Sequence, residues 1–437
     1  MQNARLDGIR MLTLGCAIFL VIGFLWEPHW PSPMADFQAV YVASRAMLQH
    51  TDPYQSANIL QQLRETAPAG TLAQRTPRQM QVALVCINLP TTLSLLALIA
   101  LIPWSCAHIL WMTLTASLFI LAASLIWDLC APHAPLAAGC AAGFVVANSI
   151  LMLTGGNTAG VVISLTLIAA WCFLRDRFTL CGALCMGLAL AIKPQDVGLI
   201  WLYFLIAGSK LRRRALQALV VFTTLAIPSA IWMFQVAPGW PHELQANLAL
   251  ASSKGQLNDP GPTSVTHLSL DMPIHLQTIF SVFKDHPSFY NTSSYLLCGA
   301  LLLLWVAITL RSRRNERTSL LALATVTPLS LLPTYHRLYD APLVLLVLPA
   351  FSVLWSQRDA LARWTLAVLS VALVCTGDFP LIVWGALTRG SHFSTSGLAN
   401  QVKLVFLARP ATLALLALSA FMLSLYALRA FGTSAKE

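Results

Sequence analysis

The chain has 437 residues, of which 57% are hydrophobic and only 10% charged, with a mean hydropathy of +0.69. A soluble domain carries about 25% charged residues, so the composition excludes a soluble protein and leaves an integral membrane one. The net charge of +10, which would suggest nucleic acid in a soluble protein, reads here as topology, because Lys and Arg gather in short breaks between apolar runs.

Lipid leaves only helices or closed barrels as spanning structures, and continuous apolar runs rather than period-two alternation select helices. An all-α, polytopic fold is therefore expected. The first run, Met11 to Trp26, follows Arg5 and Arg10 and is succeeded by "EPHWPSP" instead of a small-residue cleavage site. It is read as an uncleaved first span with the N-terminus inside. A span needs about 20 apolar residues, and about twelve are expected, near 9–26, 81–102, 106–127, 158–174, 179–192, 196–208, 216–236, 294–310, 318–333, 341–356, 363–376 and 410–429.

Basic clusters at Arg175/Arg177, 210–214, 311–317 and Arg358/Arg363, with Arg429 and Lys436 in the tail, place those breaks and the C-terminus inside. Parity then puts 27–80 and 128–133 outside together, and the "TGGNT" turn at 154–158 outside as well. Residues 134–153 cannot be one simple span on that count, and a re-entrant pair of short half-helices broken near Gly139, Gly143 and Asn148 is expected. Two modules follow: 1–236, with a first outer loop at 27–80, and 237–437, with an outer loop at 237–293. Both loops mix aromatic, Pro and polar residues and are expected to fold as outer caps. Ten cysteines, Cys181 and Cys185 among them, lie mostly in apolar runs and read as small buried hydrophobes; no disulfide framework or metal site is implied.

Four segments carry polar chemistry. In "ADFQAVYVASRAMLQHTDPY" (35–54), Asp36 begins a stretch in which Phe37, Val40, Tyr41, Ser44, Met47 and Leu48 share one helical face. The acid either caps an interfacial helix or serves as a general base at the membrane surface. "TGGNTAG" (154–160) sets Asn157 behind two glycines that allow close backbone approach. Lys193 precedes Pro194 on a short outer connection, where a lysine either snorkels to headgroups or supplies a point charge to phosphate. "PTYHRLYDAPL" (333–343) compresses Tyr335, His336, Arg337, Tyr339 and Asp340 into one outer turn. Lys193 and Arg337 are the basic residues on short connections that topology does not explain.

The order of these motifs, with "NLPTTLSLLALIALIPW" (88–104) and "GGNTAGVVISLTLIAAWCFLRDRFTLCGALCMGLALAIKPQ" (155–195) between them, resembles glycosyltransferase family 87, polytopic enzymes of the GT-C fold class, over about residues 30 to 345. The family commonly has Gly-Gln where this chain has Gly155-Gly156, and Tyr-Pro-Pro where it has Asn88-Leu89-Pro90. The resemblance implies transfer of mannose or another sugar from a polyprenyl-phosphate donor to a lipid or glycan acceptor hydroxyl, with inversion and among membrane lipids, with no nucleic acid partner, metal or cofactor. Asp36 would be the base, with Lys193, His336 and Arg337 on the donor phosphate. Tyr41, Tyr54, Asn157, Tyr339 and Asp340 would position substrates. The site would lie on the extracytoplasmic side of the inner membrane, with both termini cytoplasmic. The competing classes are a lipid-linked-sugar flippase or transporter, a non-enzymatic partner of an envelope machine, and an oligosaccharide polymerase or ligase with a diphosphate-linked donor.

Overall fold

The computed structural model describes residues 2–29, 33–66, 76–262, 272–312, 315–388 and 395–431; Arg313, Arg314 and Lys436 of the expected basic clusters lie outside them. The regular structure of the described residues is helical, with no β-strand and one isolated bridge, between Pro273 and Arg337. Among the described residues, seven helices or helix runs are long and apolar enough to cross a membrane, or eight with one bent pair included. Those spans begin with α1 (Gln2–Trp26). The other crossings expected from sequence fall on shorter helices.

After α1, a group of short helices covers one end of the bundle: α2 (Ala35–Leu48), α3 (Ser56–Thr66), α4 (Pro77–Leu84) and α5 (Pro90–Ala100). α6 (Trp104–Cys130) then runs to the opposite end, and α7 (Pro135–Ala147) with α8 (Leu151–Thr154) returns. α9 (Ala159–Arg175), α10 (Thr179–Ile192), α11 (Pro194–Ile206) and α12 (Ser209–Val236) run back and forth, and α13 (Trp240–Ala251) lies across the α2 end. α14 (Gln277–Phe283), α15 (Pro287–Arg311) and α16 (Glu316–Ser330) precede a 3₁₀ segment, Leu338–Val347, that continues into α17 (Leu348–Trp355). α18 (Ala360–Cys375) bends by 68° into α19 (Asp378–Thr388), and α20 (Leu398–Ala408) and α21 (Pro410–Phe431) close the chain.

Two topological expectations are corrected. Residues 81–102 do not form a span. The chain is non-helical between α4 and Pro90, and α5 covers only eleven residues, about 16 Å of helix. Both of its ends stay at the α2 end: Tyr54 donates to the Asn88 carbonyl and Tyr41 to the Ile102 carbonyl, each at 2.8 Å. Removing that crossing also removes the parity conflict at 134–153. The stretch Pro135–Thr154 is long and apolar enough to cross as one span, is 72% buried over its most apolar part, and is interrupted at Asn148 where α7 ends.

α7 lies alongside α1 and runs parallel to it. Gly8 meets Pro135 and Gly139, Gly15 meets Gly143, and Gly23 meets Leu153. A Cβ on Gly15 would stand 2.2 Å from the Gly143 carbonyl oxygen, the close backbone approach that small residues permit between membrane helices. Residues 128–133 accordingly sit at the N-terminal end of the bundle, not with the 27–80 loop. At that end Arg5 stands over the Trp127 ring, Arg175 pairs with Asp128 at 3.1 Å, and Asp176 takes Arg214 and Lys210.

Candidate active site

The first turn of α2 is stitched to the 154–157 turn. Met34 N–H donates to the Thr154 carbonyl at 2.8 Å and Asp36 N–H to that of Gly155 at 3.1 Å. Gly156 has φ +66°, and its carbonyl accepts from Trp111 Nε1 at 2.9 Å. The Trp111 ring stacks on Phe37, 4.7 Å between centroids and 6° from parallel. The N-cap of α2 is Met34, in a left-handed conformation with no side-chain cap bond. Asp36 therefore sits inside the first turn and is not the capping residue.

Asp36 lines a cleft whose walls also include Asn157, Asn88, Gln81, Asn258, Tyr335, Arg337 and Tyr339. Val82, Val85 and Ile87, from α4 and the chain that follows it, supply an apolar wall. Of the expected site residues, Asp36, Asn157, Arg337 and Tyr339 thus meet around one space. Asn157 Nδ2 donates to Asp36 Oδ2 at 2.8 Å, while its Oδ1 accepts from Ala159 N–H at 2.9 Å.

Arg337, 4% exposed, is the one cation among the described cleft-lining residues. Its Nε donates to the Tyr335 hydroxyl and its Nη2 to the Leu257 carbonyl at 2.9 Å, and the guanidinium lies 5.4 Å from the Tyr335 ring centroid. Its backbone is held from both sides. Arg337 N–H donates to Asp340 Oδ2 at 2.7 Å, Ile274 N–H to the His336 carbonyl at 2.9 Å, and Leu338 N–H to the Met272 carbonyl at 3.2 Å. Behind Tyr335 lies His275, whose Nδ1 meets Gln277 Oε1 at 2.6 Å. Burial, with nearby cationic side chains, pushes its pKa down to about 3, so it is neutral.

The other expected cations are placed differently. Lys193 Nζ lies 2.6 Å from Asp340 Oδ1 and 3.0 Å from Asp196 Oδ2, with the Tyr339 ring 5.4 Å away. His336 is fully buried, its Nε2 3.3 Å from Asp196 Oδ1 and its Nδ1 3.0 Å from the Thr334 carbonyl. Burial opposes charging His336, but the Asp196 carboxylate outweighs it and holds the imidazole pKa above its ordinary value. Two carboxylates thus face two bases in a buried quartet behind Tyr339, and neither Lys193 nor His336 lines the cleft. Asp340 belongs to this quartet and to the Arg337 turn. Tyr41 and Tyr54 are also away from the cleft lining; both are buried, with their hydroxyls on backbone carbonyls, and they act as struts to the α5 region from α2 and from the turn that follows it.

Sequence reasoning missed Asp196, although its i,i+3 relation to Lys193 across Pro194 was a readable signal. It also passed over Gln81 on α4 and Asn88 and Asn258 in loops, because single carboxamides carry no pattern. Among the described residues no three His, Cys, Asp or Glu side chains are grouped to hold a metal.

A family model described as glycosyltransferase family 87 matches residues 87–334. Asn157, Lys193 and Asp196 fall within the match, and Asp36 and Arg337 lie on either side of it. No curated protein and no solved structure matches the chain.

Proposed function

The chain belongs to glycosyltransferase family 87, and we propose that it moves a sugar, mannose or another hexose or pentose, from a polyprenyl-phosphate donor to a hydroxyl of a lipid-linked or cell-envelope acceptor. The observation that carries this reading is the shared cleft of Asp36 and Arg337, a carboxylate and a guanidinium in one space. Asp36 takes the acceptor proton as the acceptor oxygen bonds to the anomeric carbon. The bond from that carbon to the phosphate oxygen breaks, and the phosphate monoester leaves with the electron pair. Attack opposite to departure inverts the centre. Arg337 and the Tyr335 hydroxyl beside it stabilise the charge that develops on the leaving group.

A single cation among the described lining residues suits one phosphate better than two, which favours a monophosphate donor over the diphosphate of a polymerase or ligase. A flippase would spread ionisable groups along a midplane path. Here Asp36, Arg337 and the Lys193 quartet gather at one end. The opposite end holds Arg5, Arg175, Lys210 and Arg214, and the positive-inside rule supports an inner-membrane protein with both termini cytoplasmic and the cleft extracytoplasmic.

The test is full-length protein in nanodiscs, given radiolabelled polyprenyl-phosphate mannose or pentose and a total lipid extract of the producing strain as acceptor. Wild type releases polyprenyl phosphate with transfer of label, and Asp36→Asn loses turnover while retaining its unfolding temperature. Near-normal turnover by Asp36→Asn removes the base. Label that crosses the bilayer without leaving its lipid favours the flippase.

A further inference from the structure

We infer that Asn157 is a positioning residue for the carboxylate of Asp36 rather than a contact to substrate. The inference rests on the reading of Asp36 as the base. Asn157 is held at its other end first. Its Oδ1 accepts the Ala159 N–H at 2.9 Å, one of the α9 amides that have no intrahelical partner. This bond identifies the oxygen side of the amide, so the nitrogen side must face the other way, and it donates to Asp36 Oδ2 at 2.8 Å. The partner is thus a donor of defined direction, fixed by the start of a buried helix.

The backbone carries the same register. Asp36 N–H on the Gly155 carbonyl and Met34 N–H on the Thr154 carbonyl lock the first turn of α2 against the turn that bears Asn157. The side-chain bond and the backbone bonds therefore set the height and the rotation of the carboxylate relative to the cleft. A hydrogen bond from a neutral amide to a carboxylate favours the charged form, the form a general base needs before the reaction. Among the described residues the other titratable groups lining the cleft are Arg337, Tyr335 and Tyr339, and α3, also packed on α2, carries Arg64 and Glu65 in its last turns, outside that lining. α5, packed on α2, contributes none, since its sequence is PTTLSLLALIA.

Two variants separate this role from a structural one. Asn157→Asp and Asn157→Ser each keep a side-chain oxygen for the Ala159 N–H, so the start of α9 survives, but neither presents an amide donor to Asp36. In full-length protein assayed with radiolabelled polyprenyl-phosphate mannose and the lipid extract, the acid limb of the kcat/KM profile moves to higher pH in both. The move is about one pH unit for Asn157→Ser and larger for Asn157→Asp, where two acids face each other. The donor KM stays within about threefold of wild type. An unmoved acid limb, or a loss confined to KM, overturns the inference even when Asp36→Asn is inactive. Activity in Asp36→Asn overturns the underlying reading instead, so the two failures are distinguishable.

Discussion

Lys193 Nζ stands 2.6 Å from Asp340 Oδ1 and 3.0 Å from Asp196 Oδ2, with both carboxylates 1% exposed. An ammonium buried between two acids is held by them, and removing one leaves uncompensated charge in a low dielectric. Asp196→Ala also strips His336 of its carboxylate. It is expected to destabilise the protein by about 3–5 kcal/mol, read as a lower unfolding temperature in detergent. A variant as stable as wild type would mean that the quartet contributes nothing to holding the 335–340 turn.

His336 gives the quartet a pH signature. Asp196 holds its pKa above the ordinary value against the effect of burial, so the folded state binds the proton more tightly than the unfolded chain does. The stabilisation is fully present below the unfolded pKa, about 6.5, and is lost as pH rises through the higher folded value. Unfolding temperatures measured from pH 6 to 9 should therefore fall more steeply for wild type than for His336→Gln. Parallel curves would show that His336 does not titrate against Asp196.

Arg337 should tolerate no substitute. Its guanidinium spans the Tyr335 hydroxyl, the Leu257 carbonyl and, at 3.3 Å, Asn258 Oδ1, a fork that an ammonium does not reproduce. Arg337→Gln should lower kcat by about a hundredfold or more, and Arg337→Lys should recover little of it. Full recovery by lysine would mean that charge alone is required.

Gly156 occupies backbone space that other residues do not share. At φ +66° a Cβ would lie 2.6 Å from Met34 Sδ and 3.0 Å from Phe37 Cβ. Gly156→Ala should cost about 1–3 kcal/mol and loosen α2 from the 154–157 turn, so activity falls further than stability alone explains. Because the strain includes both φ and the Met34 contact, Met34→Ala should restore only part of the loss. Complete restoration would assign the whole effect to packing.

Much of the fold was legible because lipid imposes a simple code of long apolar runs broken by arginines. The exception, 81–102, shows where that code fails. Leu89-Pro90 interrupts the run, and hydropathy alone does not distinguish a half-length helix capped by tyrosine hydroxyls from a crossing one. The site was legible by residue type but not by pairing. Asp36, Asn157 and Arg337 were visible as polar residues in apolar surroundings. Whether a buried cation meets substrate or a carboxylate is decided by side chains far apart in sequence, and Lys193 with Asp340 was such a case.

The parallel contact of α1 with α7 bears on how the molecule is made. α1 leaves the ribosome long before residues 135–147 are synthesised, so its glycine-lined flank waits in the bilayer for a neighbour that does not yet exist. Widening that flank, as in Gly15→Leu, would leave early insertion intact and block the later docking step. The nascent protein would then be trapped threaded but unassembled.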